Sequence, residues 1–594
     1  MHKYYDWLRG VATRYSDYLV GFGLLLVLWI ALLPILSSGY FGDDVVNSYT
    51  KGIRLFDGVT LYDFTYHYFM SWITSQGRFF PLVWYVYWLF EVCDTLFIYK
   101  LFSVISVLIC CFTFGYFVFK LTRDKNLGIF VVISLAVIFQ CRIYHDPLLS
   151  FQYLLQVVLL EITLSLIFFL IYLESSRWIS LILSLFFYLC ALLTYEISYA
   201  FFLFHFILAL GYKNNFRENV RVTSPYFLLS LMAIVVSMYL RSKATAIDPT
   251  YQINFHILVY LKTLGTQIVS SLPLIYYIAN PSHISVYNPV LIVKKIDASG
   301  LIGATVFFVI FYRIVNNLKT GFPSRIMVTL GLALMVVPGL MTSLSVKHQK
   351  MHLGLGYLPV FLQYFGTALV LLSFVSWALT KTKNDISRER LSLALTGLFS
   401  VAYLINLQNN WSVVSAVNTQ YLFPRQVLEQ ALQNGLLLDV PQHSTLFIES
   451  ANVWGNKYFV YQYSSKKLNV INAGSVDAYR TETIDKASKH KVVGKYILKY
   501  HAKSLHNGYV MLGRYKNDSK IYATTPAAYI DSLKVYFDSQ SPKYLLAAPG
   551  NGTKVFISKL PTSQSIHNSD FNMAEVPLIK QRLNFNTLNI YNCN

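Results

Sequence analysis

Charge is what this sequence has least of. Asp, Glu, Lys and Arg make up 13% of the 594 residues, about half the share found in ordinary soluble domains. Because 55% of the residues are hydrophobic and gathered in long runs, that scarcity excludes a string of soluble domains. Cysteine is sparse as well. Cys93, Cys110, Cys111, Cys141, Cys190 and Cys593 show no metal-ligand spacing, and most lie in apolar stretches, which excludes a disulfide framework. The chain has no glycine loop of Walker or Rossmann type for a nucleotide phosphate, no internal repeat and no low-complexity segment. No small-residue cleavage site follows the first apolar run, so that run is expected to be a retained span and not a removable signal.

What the chain has instead is a series of apolar runs of about 20 residues. Such a run is long enough to cross the hydrocarbon core as a helix, and it must be helical because lipid offers its backbone no partners. The net charge is +20. Its Lys and Arg residues fall in short loops between the runs and in the tail, with no basic stripe, which argues against nucleic acid and for contact with membrane lipids.

Spans are expected over residues 19–36, 96–119, 127–141, 151–173, 223–240, 300–317, 326–343, 357–380 and 391–406. Residues 178–212 are too long for one span and read as two short helices meeting around Thr194-Tyr195-Glu196. Residues 79–90 read as a short interfacial helix, and 241–299 as a long loop segment with amphipathic pieces. Basic residues such as Lys120, Arg123, Lys125, Lys213, Arg217, Arg313, Lys319 and Arg325 recur in alternate loops. Positive loops face the cytoplasm, so the N-terminus is expected inside and the C-terminus outside. The predicted fold class is an α-helical polytopic membrane protein of about 11 transmembrane helices over residues 1–406. A mixed α/β extracytoplasmic domain is expected over 407–594, with strand-like runs at Leu446-Phe447-Ile448 and Tyr458-Phe459-Val460-Tyr461 after a helix at 425–438.

The informative polar residues stand at the outer ends of these spans. Asp43 and Asp44 follow the first span; they are either water-facing helix caps or, one of them, a general base that takes a proton from a hydroxyl. Adjacent residues do not share a helical face, so only one of the two is expected to face a substrate. Arg78, in Gly77-Arg78-Phe79-Phe80-Pro81, either snorkels to head groups or holds a phosphate or carboxylate in its fork. Arg142, His145 and Asp146 lie in the next outer turn, where Asp before Pro is also a helix-entry signal. Glu196, beside Tyr195 in an apolar stretch, is a functional candidate by default, the alternative being a neutral acid bonded between helices. The run from Lys347 through His348, Lys350 and His352, ahead of Tyr357, puts cations on the side where they are rare. Such cations suit a lipid-linked phosphate, although head-group contact alone is the simpler account. His348 and His352 lack a His-Glu-x-x-His arrangement, so metal ligation is the weaker expectation.

In this order of elements the chain resembles GT-C class glycosyltransferases, multi-span enzymes that take a sugar from a polyprenyl-phosphate carrier. The resemblance rests on Asp43-Asp44 after the first span, the Gly77-to-Pro81 element, Tyr195-Glu196 and the late basic loop leading to Tyr357-Leu358-Pro359. It covers residues 1–406 and is greatest for bacterial enzymes that decorate O-antigen or other surface polysaccharides. It implies that Asp43 or Asp44 is the catalytic base. It implies too that Arg78, Tyr195, Lys347, His348 and Lys350 serve the donor phosphate. The implied partners are a polyprenyl-phosphate-linked sugar and a glycan or cell-wall polymer acceptor, with no cofactor, in a bacterial cytoplasmic membrane. The Trp-Trp-Asp signature of oligosaccharyltransferases is absent, which argues against protein glycosylation.

Three rivals remain at this point. A transporter or flippase of a lipid-linked glycan would place ionisable residues near the midplane and show paired halves. A polysaccharide polymerase or ligase would use a lipid-pyrophosphate donor, and a non-enzymatic scaffold would leave Asp43 and Asp44 without a task.

Overall fold

The computed structural model describes residues 2–93, 95–144, 146–150, 153–212, 215–249, 252–280, 296–318, 325–356, 358–382, 384–433, 435–438, 440–449, 456–472, 494–504, 507–515, 530–537, 543–547 and 555–559. The chain divides into two compact units. The first takes residues 1–38 and 62–415, the second 39–61 and 416–594.

Helices α1 (His2–Leu36), α2 (Asp43–Asn47), α3 (Thr50–Asp57) and α4 (Leu61–Ser71) open the chain. After a π-helical turn at Trp72–Gln76 and a 3-10 turn at Pro81–Trp84 come α5 (Tyr85–Val92), α6 (Leu96–Thr122), α7 (Lys125–Ile138), α8 (Leu154–Ser175) and α9 (Trp178–Thr194). A 3-10 turn at Glu196–Ala200 leads to α10 (Phe202–Tyr212), α11 (Phe216–Lys243), α12 (Ile257–Ser270) and α13 (Ile275–Ala279). Then follow α14 (Ala298–Asn316), α15 (Arg325–Thr342), α16 (Val346–Gln349), α17 (Val360–Thr380) and α18 (Asp385–Gln433). Among the described residues eight helices are long and apolar enough to cross a membrane: the Tyr18–Leu36 part of α1, and α6, α8, α11, α14, α15, α17 and α18. Four shorter apolar helices, including α7, α9 and α10, accompany them.

The helix starts are written in side chains that accept the first free backbone N–H groups. Thr95, Asp124, Asn215 and Asp297 do this for α6, α7, α11 and α14. Close helix crossings in the first unit use glycine, because small residues let backbones approach where lipid gives no hydrophobic drive. A Cβ on Gly128 of α7 would stand 2.6 Å from the Gly115 carbonyl of α6, and one on Gly366 of α17 2.6 Å from the Gly331 carbonyl of α15.

The second unit contains a seven-stranded sheet, β1 (Thr445–Glu449), β2 (Asn469–Asn472), β3 (Lys495–Ser504), β4 (Asn507–Tyr515), β5 (Ile530–Phe537), β6 (Lys543–Ala547) and β7 (Val555–Lys559). Its order is β2-β1-β3-β4-β5-β6-β7. The first three strands are parallel and the rest form an antiparallel meander. Parallel neighbours need a crossover, and between β1 and β2 it is the helix α19 (Lys457–Ser464).

That helix corrects the strand expected at Tyr458-Phe459-Val460-Tyr461. Aromatic and β-branched residues favour strands, but the buried positions here are the adjacent Phe459 and Val460, not alternate ones. Asn456 caps the first turn by accepting from the N–H groups of Tyr458 and Phe459 at 3.0 and 2.9 Å. The helix expected to end at 406 runs on to Gln433, so the change from apolar to polar composition falls inside α18. The short first-loop segment 39–61 groups with the C-terminal residues and not with the spans.

Candidate functional site

In the first unit Arg78 and Glu196 form one site. The Arg78 Nε and Nη2 donate to the Glu196 carboxylate, the shortest contact being 2.8 Å. The guanidinium lies over the rings of Phe80, Trp72 and Tyr195 at 4.7, 5.2 and 5.8 Å. Gly77 makes this possible. Its φ of 64° is left-handed, and a side chain there would strike the backbone of Arg241. Tyr195 is the extended residue that breaks α9 from the following 3-10 turn, so it presents its ring and hands Glu196 to Arg78. The fork of Arg78 thus already serves a carboxylate.

Residues 74–76 bond to 245–248 through both backbone and the Gln76 side chain, and residues 252–254 bond to 344–349. The polar ends of these helices are therefore stitched together by the chain between α11 and α12. In the basic run His348 is buried and Lys347 half-buried, whereas Lys350 and His352 are exposed. Gln349 fixes the run by donating to the carbonyls of Asn254 and Ser343 at 2.8 and 3.1 Å. No group of three His, Cys, Asp or Glu suited to a metal occurs among the described residues.

Arg142 serves the fold. It is fully buried and donates to the carbonyls of Gly354 (2.7 Å), Ser270 (2.8 Å) and Gln140 (3.2 Å) and to the Tyr364 hydroxyl. Asp146, also fully buried, stands 3.6 Å from it and accepts from the N–H groups of Leu148 and Leu149. Burial raises the Asp146 carboxyl to about 6, against the pull of Arg142. His145 and Tyr357 lie outside the described residues.

The second unit holds Asp43 and Asp44 on the five-residue α2. Asp43 is exposed and Asp44 is 1% exposed, so the two neighbours face different surroundings. Gly42, with φ 58°, turns the chain into this helix. In the same unit Arg425 is 4% exposed and donates to Ser48 Oγ at 2.5 Å and to the Tyr463 hydroxyl at 3.1 Å. It also lies 4.3 Å over the Tyr40 ring. Burial pushes the Tyr40 phenol above its ordinary range, partly offset by Arg425, while Asp44 adds to the rise.

Sequence reasoning missed Arg425 and Glu161. Arg425 gave no signal, sitting in mixed polar sequence. Glu161 gave the same signal as Glu196, a carboxylate in an apolar run. Ser165 and His205 also meet, with Oγ and Nε2 2.9 Å apart, but this is no nucleophile and base. Ser165 spends its proton on the Ser184 carbonyl (2.8 Å) and Ser184 returns one to the Ser165 carbonyl (2.7 Å). The imidazole must then donate from Nε2, which makes it a clamp between helices.

No protein-family model matches the chain, and no curated protein matches its sequence.

Proposed function

We propose that this protein is a membrane glycosyltransferase of GT-C type. It moves a sugar from a polyprenyl-phosphate carrier to a surface glycan or cell-wall polymer at the outer face of a bacterial cytoplasmic membrane. The observation that carries the reading is the division of labour between Asp43 and Asp44: one exposed carboxylate beside one buried carboxylate, a few residues past the end of a membrane-length helix. An exposed carboxylate can take a proton from an incoming hydroxyl. Its buried neighbour accepts from the Ser48 N–H through its backbone carbonyl.

In this reading the eight long helices and the three shorter ones α7, α9 and α10 make about 11 spans, with the N-terminus inside and residues 407–594 outside. The acceptor hydroxyl gives its proton to Asp43 as its oxygen bonds to the anomeric carbon. The bond from that carbon to the phosphate oxygen breaks on the opposite face, and its electron pair leaves with polyprenyl phosphate. The anomeric configuration inverts. The resemblance assigns the charge that grows on the leaving phosphate to Lys347, His348 and Lys350. Arg78, held by Glu196, shapes the aromatic wall that includes Tyr195.

The test uses purified protein, polyprenyl-phosphate sugar and acceptor glycan. Asp43→Asn is expected to lower kcat by roughly 10²–10⁴-fold, the contribution of a general base, and Asp44→Asn to lower the folded fraction. Unchanged transfer in both variants removes the proposed base. The flippase alternative draws on Glu161 within a membrane-length helix, and carrier translocation without any transfer in the parent protein would favour it.

A further inference from the structure

Glu161 differs from Glu196 and Asp146, the buried or half-buried acids that a cation answers. Glu196 is held by Arg78 and Asp146 by Arg142, but among the described residues no cation pairs with Glu161. It sits eight residues into α8, a helix of membrane-spanning length, or roughly 10 Å from its start at about 1.5 Å per residue. A carboxyl at that depth is costly unless something polar satisfies it. The Glu161 Oε1 is 3.2 Å from the Thr194 hydroxyl, but that hydroxyl has a closer acceptor in the Cys190 carbonyl at 2.9 Å. One proton serves two acceptors, so Glu161 holds the weaker share. Its Oε2 is buried and has no hydrogen-bond partner. The side chain as a whole is nonetheless half-buried and not sealed. The residue after Thr194 is Tyr195, whose ring belongs to the aromatic wall with Phe80, and burial, with Glu161 adding to it, pushes the Tyr85 phenol above its ordinary range.

We propose that Glu161 and Thr194 form a subsite for a hydroxyl of the donor's sugar, an inference that rests on the transferase reading. Of the donor's three parts, the apolar tail offers no hydrogen bond and the phosphodiester has no O–H to give to the unpartnered Oε2. Only the sugar brings O–H groups, which can both donate to and accept from a carboxyl. Aromatic faces with a few placed polar groups are the usual lining of a small-ligand site. A bound cation is a poorer fit, since hard cations take six or more oxygens and Glu161 and Thr194 supply three.

Dicyclohexylcarbodiimide, which modifies protonated carboxyls in apolar surroundings, gives a readout independent of catalysis. The probes are undecaprenyl phosphate carrying glucose, galactose, mannose or N-acetylglucosamine, and undecaprenyl phosphate without sugar. Labelling of Glu161, mapped by mass spectrometry in the purified full chain, is expected to fall at least fivefold with one of the sugar lipids and to be unchanged by the bare carrier. Glu161→Gln is expected to raise the donor KM roughly tenfold or more with kcat within about threefold, because only binding is weakened. Glu161→Asp is expected to recover part of the loss. Equal protection by the bare carrier, no protection by any sugar lipid, or a parental KM in Glu161→Gln overturns the subsite. If the parent protein transfers nothing while a sugar lipid still protects Glu161, the transferase reading fails and the subsite stands.

Discussion

Arg142 illustrates how a single side chain commits its neighbours. Its five N–H donors in a planar fork meet the nearby Gln140 carbonyl and, from distant parts of the chain, two further carbonyls and a phenol. Lysine could not reproduce that fork. Arg142→Lys keeps the charge but leaves buried carbonyls without donors, at about 1–3 kcal/mol each, and Asp146→Asn leaves the buried Arg142 uncompensated, at about 3–5 kcal/mol; both are read as a lowered thermal midpoint in detergent. The pair also predicts a pH response. The Asp146 carboxyl is raised to about 6 in the fold from an ordinary value near 4, so the native state holds this proton more tightly than the unfolded chain does. The contribution of this group is then fully present below about pH 4 and is lost as pH rises through about 6. Asp146→Asn should abolish that slope while other titrations persist.

At the scale of elements the crossings of α6 with α7 and of α15 with α17 depend on what is missing at four glycines. Gly366→Leu is expected to force these helices apart and cost about 1–3 kcal/mol by overpacking, again measured as thermal midpoint, whereas Gly397, with open space around it, should tolerate alanine. Much of this layer was legible beforehand, because span length, capping residues and the break at Tyr195 are local properties written in consecutive residues. The helix α19 was not, since the composition of Tyr458 to Tyr461 suits a strand and only the cap at Asn456 and packing of adjacent residues decide otherwise. The partners of Arg78 and Arg142 were equally hidden. In sequence Arg78 reads as either snorkelling or holding a phosphate or carboxylate, and Arg142 as a candidate in an outer turn; each is answered by an acid, Glu196 or Asp146, as a buried charge requires. Glu161 was legible by the rule applied to Glu196 and was passed over. The separation of Asp43 from Asp44 into exposed and buried positions was foreseeable from helical geometry alone.

For the whole molecule, the second unit is assembled from two stretches far apart in sequence. Within it the Gly52 N–H donates to the Gln462 side chain at 3.0 Å, and the Phe56 ring stands edge-on to Tyr458 and Tyr461 at 5.5 and 5.4 Å. A side chain at position 52 would collide with the Tyr458 carbonyl. Gly52→Val should therefore loosen this unit alone: limited proteolysis within residues 416–594 is expected to quicken about tenfold or more, with the melting of the first unit unchanged. The same arrangement bears on how the protein is made. Residues 39–61 leave the ribosome about 350 residues before their partners begin at 416, a delay of roughly 20–70 s at about 5–20 residues per second. Throughout that interval the stretch carrying Asp43 must wait without its native packing, so a nascent or prematurely ended chain holds its acids in an unfinished setting. On the transferase proposal, activity is thereby tied to completion of synthesis.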